Sequence, residues 1–321
     1  MAQEITTEFV DANGLRFEVN MCGEGKKLAI CLHGFPEHAY SWRHQMPMLA
    51  EMGYKVWAPN LRGYGLSSRP ELMEDYSIEH LMEDVACLID AAQCESVVLI
   101  AHDWGAVIAW FFAMHKIRKI DQLIIMNVPH PVPMRAAMAG GLEQLKKSWY
   151  ILFFQIPRLP EWLMGRNGAA AIGDMFKTTV SDPGRFPFEV REVYRKNAAR
   201  DGGLTAMINW YRGLIRGGGG KRMEAKGYPI IDTPTLMIWG EDDVALSKKS
   251  TYGTDKVCSD FTIRYLPKVS HWVQQEAPEA VNAIVKAWLN GETVPQFEWE
   301  LKQVEEPSVV EIVSNGDVHV A

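Results

Sequence analysis

The stretch LIAHDWGAVIAWF, residues 99–111, decides the fold. It begins as an apolar strand, turns between small residues, and continues as an apolar helix. Asp103 stands at the apex of the turn, flanked by Ala101, Gly105 and Ala106. A strand-to-helix elbow this tight brings the backbone against its neighbours, so the flanking residues must be small. The elbow lifts the apex side chain out of the C-terminal edge of a sheet, where open α/β sheets place ligands. It also sets the carboxylate near a helix N-terminus, which favours the anion. By itself the pattern equally describes an Asp that caps a helix.

Outward from the elbow, the chain alternates strands and helices. ITTEFV and LRFEVN, separated by DANG, read as a hairpin in which Asn13-Gly14 supplies the positive φ angles of the turn. KLAICL (27–32), YKVWAP (54–59), VVLIA (97–101), QLIIMN (122–127) and TLMIWG (235–240) are short, continuous apolar runs. Such runs suit strands covered on both faces, hence a mostly parallel sheet. In SIEHLMEDVACLIDAAQ (77–93) the apolar positions follow a helical period behind Ser77 as N-cap. In PEAVNAIVKAWLNG (278–291), Pro278 opens a helix and Gly291 closes it. This alternation predicts a doubly wound α/β sheet.

The alternation breaks between about 135 and 228, where Met, Trp, Phe and Tyr abound and no strand pattern appears. We expect a helical cap there (135–228), inserted between two parts of the core (1–134 and 229–295), with an acidic, then strand-like tail (296–321). The GGGG at 217–220 reads as a flexible connection, because no strand precedes it and no Lys-Ser/Thr follows in phosphate-loop register.

The 321 residues, 47% of them apolar, are ample for one large core. Thirty-three basic against 40 acidic residues leave a charge of -7, a balance that disfavours nucleic acid and anionic membranes as partners. The five cysteines form no C-x-x-C pair, which predicts reduced thiols in a cytoplasmic protein. No signal-peptide pattern opens the chain, and no apolar run approaches the ~20 residues of a membrane span.

Three further motifs converge on Asp103. HGFPEHAYSW (33–42) follows the first apolar strand, and its turn can aim the Phe35 N–H at the same place. With the Trp104 N–H it would make a two-donor oxyanion hole. The spacing of His33, His38 and His44 does not suggest zinc, and neither metal nor cofactor is expected. MIWGEDDVAL (237–246) ends a strand in an acidic turn. Asp243 is the preferred carboxylate to orient a histidine, with Asp242 and Glu241 as fallbacks. KVSHWVQQEAPE (268–279) then presents His271. The order nucleophile, acid, histidine is that of the α/β-hydrolase arrangement.

Taken together, HGFPE, PNLRGYGLSSRP, AHDWGA, NWYRG and SHW resemble the epoxide hydrolases of the α/β-hydrolase superfamily. The likeness runs from the first hairpin to the helix at 278–290. One position departs: Asn60 stands where family members often have Asp, and we expect it to serve as a turn former. The resemblance implies an α/β-hydrolase fold and attack by Asp103 on an apolar epoxide, giving a vicinal diol through an ester. It further implies two cap tyrosines that hydrogen-bond the epoxide oxygen, at Tyr150 in SWYILFFQIP and Tyr211 in NWYRG; Tyr194 and Tyr228 have weaker context. The cap aromatics Trp149, Phe153, Phe154, Trp162, Phe186 and Phe188 suggest an apolar pocket. A haloalkane dehalogenase could use the same Asp103, Asp243 and His271. It commonly has a halide-binding Asn where this chain has Phe35. A fluoroacetate dehalogenase would want arginines beside the nucleophile, and a non-catalytic receptor usually loses one of the three residues. The cap and tail are candidate surfaces for a homo-oligomer.

Overall fold

The computed structural model describes residues 4–297. The part of the expected tail from residue 298 onward lies outside these. The first two strands, β1 (Thr6–Ala12) and β2 (Leu15–Cys22), form the expected hairpin, with φ of 49° at Asn13 and 70° at Gly14. Then come β3 (Lys27–Leu32), β4 (Tyr54–Pro59), β5 (Ser96–His102), β6 (Gln122–Met126), β7 (Thr235–Gly240) and β8 (Phe261–Leu266). They make one sheet in the order β1-β2-β4-β3-β5-β6-β7-β8. The pairs β1–β2 and β2–β4 are antiparallel, and every other pair is parallel.

The apolar runs lack alternation because each strand feeds two cores. On β5, Val97, Leu99 and Ala101 join one apolar cluster, while Val98 and Ile100 join the other. The strand β8 escapes the sequence reading for the opposite reason. Among the described residues it lies at the sheet edge and pairs only with β7, and it is half-buried over most of its length. FTIRYL therefore mixes apolar and polar positions.

Helices cover the sheet as expected. Ser77 accepts from the His80 N–H and starts the helix Ile78–Ala92. Pro278 starts the helix Pro278–Leu289, and Gly291 beyond its end has φ of 70°. The helix Trp104–Met114 is buried along nearly its whole length, so it is apolar on all sides rather than amphipathic. Between β6 and β7 the described chain forms helices and turns from Pro131 to Lys226, without a strand. The GGGG expectation needs correction. Gly218, at φ of 71°, precedes a helix that Gly219 and Gly220 begin, Gly219–Lys226.

Candidate active site

Asp103 sits at φ 47°, ψ -122°, a backbone conformation uncommon for a residue with a side chain. Packing around the elbow holds it there. A Cβ on Gly105 would collide with the Leu32 carbonyl, and one on Gly34 would collide with the Asp103 carboxylate itself. These two glycines let β3 and the following HGFP turn close onto the elbow. The Phe35 N–H then donates to Asp103 Oδ1 at 2.6 Å. The Trp104 N–H opens the helix directly after the apex, the first of its N–H groups without an intrahelical acceptor.

The loops after β7 and β8 bring two more groups to this point. Asp243 Oδ1 accepts the backbone N–H groups of Ala245 and Leu246 at 2.7 and 2.8 Å. Its Oδ2 accepts from Asn127 Nδ2 at 2.8 Å and lies 2.7 Å from His271 Nδ1. The other ring nitrogen, His271 Nε2, is 3.5 Å from Asp103 Oδ2. The two fallback carboxylates lie elsewhere. Glu241 pairs with Lys248 at 2.5 Å, and Asp242 is exposed.

The electrostatics follow from this geometry. Burial disfavours the charge on Asp103 and Asp243, but His271 together with the hydrogen bonds each carboxylate accepts outweighs burial at both, and both carboxyls titrate below the ordinary range. Burial lowers the basicity of His271, yet the Asp243 and Asp103 charges reverse this and raise it above an ordinary imidazole. The site therefore holds a cation between two anions.

Two tyrosines face Asp103 from the helical insert. A cavity of about 230 Å³ is lined by Asp103, His271, Tyr150, Tyr211, Phe35 and Trp272, with Trp149, Phe154, Met175, Thr179, Lys147, Val244 and Ala245. The two phenol rings stand 6.0 Å apart, edge to face. Burial, and then the Asp103 charge, pushes both phenols above the ordinary value, so both stay protonated at neutral pH. Tyr194 and Tyr228 are not among the lining residues. The Tyr194 hydroxyl donates to Gln275 Oε1 at 2.6 Å, and Tyr228 packs near His130. Of the six aromatics named above, Trp149 and Phe154 line the cavity. Phe186 stacks on Phe176, Phe153 packs on Phe154, and Trp162 and Phe188 are exposed.

Parts of the motifs that sequence reading left without a role prove to position these tyrosines. Arg62 forks onto Asp84 at 2.6 and 2.7 Å, and its carbonyl accepts from Trp210 Nε1 at 3.1 Å. The loop after β4 is thus the seat of the helix Gly203–Ile215 that carries Tyr211. Arg212 then donates to the Phe154 and Ile156 carbonyls at 3.0 and 2.9 Å and pairs with Glu161 at 2.5 Å. That ties the Tyr211 helix to the Tyr150 segment. Asn60 also does more than shape a turn. Its Oδ1 accepts the Ala39 N–H at 2.8 Å, and its Nδ2 donates to Glu18 at 2.5 Å. An Asp at 60 would set a second carboxylate against Glu18.

His102 was missed, although it adjoins the apex. It is fully buried, with Nδ1 2.8 Å from Glu37 Oε2 and Nε2 2.8 Å from the His271 carbonyl. Gln274 and Gln275 donate to the same Glu37 carboxylate. This buried network grips the backbone of His271 from below. A period-2 strand pattern would mark such a residue only as an unexpected polar side chain on a buried strand.

These features place the molecule among the α/β hydrolases. A family model described as the alpha/beta hydrolase fold matches residues 29–157. Epoxide hydrolase 4 of Mus musculus is 36% identical over 287 residues, covering 88% of this chain and 78% of that protein. AB hydrolase superfamily protein YfhM of Bacillus subtilis is 35% identical over 290 residues, covering 90% and 99%. The crystal structure of Epoxide Hydrolase A from Mycobacterium thermoresistibile superposes with a TM-score of 0.78 at 31% identity, covering 91% of this chain and all of that one. The chain belongs to the epoxide hydrolase family of the α/β-hydrolase fold, and it is a hydrolase.

Proposed function

We propose that this hydrolase opens apolar epoxides to vicinal diols through an ester on Asp103, with the helices between β6 and β7 acting as a cap. The observation that carries this reading is the convergence of two protonated phenols and one carboxylate on one apolar cavity. An epoxide carbon is sp3, and a carboxylate can attack it in line to form an ester. Phe35 holds Oδ1, so Oδ2 is the attacking oxygen. As the Oδ2–C bond forms, the ring C–O bond breaks, and Tyr150 or Tyr211 gives its proton to the departing oxygen.

Esterification removes one of the two anions that hold the proton on His271. That proton passes to the tyrosinate, which restores the phenol and leaves a neutral imidazole oriented by Asp243. His271 then takes a proton from water, and the resulting hydroxide adds to the Asp103 carboxyl carbon. The Phe35 and Trp104 N–H groups stabilise the tetrahedral oxyanion. Collapse breaks the ester C–O bond, and the acid formed on Asp103 protonates the leaving alkoxide. Carboxylate, imidazolium and phenol are back where they began. A serine at 103 would form an ether that water could not cleave in this way.

The dehalogenase reading needs the Trp104 indole to face a halide. Trp104 is not among the residues lining the cavity; its ring packs against Trp210 and Tyr211. Incubation with styrene oxide, a haloalkane and an aryl ester separates the readings, and diol formation alone is expected. Tyr150→Phe and Tyr211→Phe should each lower kcat by about 10–100-fold, and the pair by about 10³-fold or more. Halide release faster than diol formation, or a double variant of unchanged rate, reverses the assignment.

A pH dependence follows. Ester formation needs ionised Asp103, whose pKa lies below the ordinary range, so it persists into acid. Ester hydrolysis needs neutral His271, and the Asp243 charge still favours the imidazolium after Asp103 is esterified. Hydrolysis should therefore fail first as pH falls, and ester should accumulate. Single-turnover rapid quench across pH reads both steps; if they decline together, His271 is not the base for the second.

A further inference from the structure

We infer that the insert docks on an anionic lipid surface, with the cavity mouth facing the bilayer, so that apolar substrate enters from the lipid. The whole-chain charge of -7 hides a segregation. Residues 131–228 hold sixteen Lys and Arg against eight Asp and Glu, a balance of +8. The remaining residues hold seventeen against thirty-two, a balance of -15. A net acidic chain thus presents a basic insert.

The same insert leaves large apolar side chains in solvent. Leu145, Trp149, Leu152, Ile156, Leu159 and Trp162 recur every three or four residues and are between 39% and 72% exposed. They stand on the helices Leu142–Lys147 and Trp149–Phe153, the turn after them, and the start of the helix beginning at Leu159. Exposed apolar side chains recurring along one such segment mark it as a candidate interaction surface. Trp149 belongs both to this surface and to the cavity wall, and Val244, 49% exposed, also lines the cavity, so the mouth opens beside Trp149 of the stripe.

Cations flank the stripe. Among the described residues, Lys146, Arg158 and Arg166 make no ion pair, whereas the two acids of the segment are already paired, Glu143 with Lys249 and Glu161 with Arg212. Exposed Trp and Leu beside Lys and Arg that make no ion pair, Arg166 lying over the Trp162 ring, suit the boundary between acyl chains and anionic headgroups. A second copy of the chain, using its acidic core, would meet the charge equally well, but it would cover the mouth. A lipid surface instead supplies apolar molecules to it.

The substrate route rests on the epoxide reading, but docking is measured without substrate. The full chain is sedimented with vesicles of phosphatidylcholine alone or of an equimolar mixture with phosphatidylglycerol. Two double variants serve as controls, Leu145→Glu with Leu152→Glu and Lys146→Glu with Arg158→Glu. All four positions are exposed or outside the cavity lining, so turnover of dissolved styrene oxide and the melting temperature should match the parent chain. We expect binding to the mixed vesicles, at least about tenfold weaker for each double variant. A parent chain left in the supernatant overturns the proposal. So does equal binding by the variants, or a dimer seen by sedimentation equilibrium that the leucine variant dissolves while vesicles bind nothing. If the epoxide reading is what fails, no diol forms while vesicle binding persists.

Discussion

Asp103→Asn is expected to lower kcat/KM for an epoxide by about 10⁴-fold or more. The amide has the shape of the carboxylate, and its oxygen can still accept the Phe35 N–H that now lies 2.6 Å from Oδ1. The elbow, with its close glycines, should therefore stay folded. What disappears is the anionic oxygen on the cavity side, and a neutral amide oxygen is a poor nucleophile toward an sp3 carbon. A second measurement tests the ester itself. In one turnover by the parent chain in 18O-labelled water, the diol should carry enzyme oxygen, and the solvent label should appear on Asp103. A variant within tenfold of the parent, or a first diol labelled entirely from solvent, excludes the ester.

His271→Gln should separate the two half-reactions. Steady-state turnover falls by about 10³–10⁴-fold, while one equivalent of epoxide per chain still disappears. Intact mass should rise by the mass of the substrate, and a peptide containing Asp103 should bear it. The reason is positional. His271 Nε2 is 3.5 Å from Asp103 Oδ2, at the side from which water would reach the carboxyl carbon. Removing the imidazole also removes the charge that keeps Asp103 ionised against burial, so the trial belongs at neutral pH or above. Absence of any adduct alongside a normal turnover rate would falsify the role given to His271.

The positioning residues explain why so small a cluster holds its geometry. His271 is gripped from one side by Asp243 and from below by His102, which is itself held by Glu37. The phenols are held by Arg62, Trp210 and Arg212, each within a recognisable motif but none facing the cavity. A buried polar group keeps its place only while its hydrogen-bonding needs are met, so such motifs extend beyond the reacting atoms.

The amino-acid sequence by itself determined the hairpin, the apolar strands, the elbow and the order of Asp103, Asp243 and His271. Those features are local: a turn needs Asn-Gly, a doubly covered strand needs continuous apolar residues, and an elbow needs small neighbours. Even the pairing of motifs was legible, because fold topology ties each to the end of a strand. The edge strand β8, the buried Glu37–His102 pair and the contact of Asn60 with Glu18 were not. Each depends on neighbours far away along the chain, for which a period or a turn type carries no trace. Only the tertiary structure decided which aromatics face the cavity and which face solvent, because helical spacing fixes a side chain's place on its own helix but not what packs against that helix.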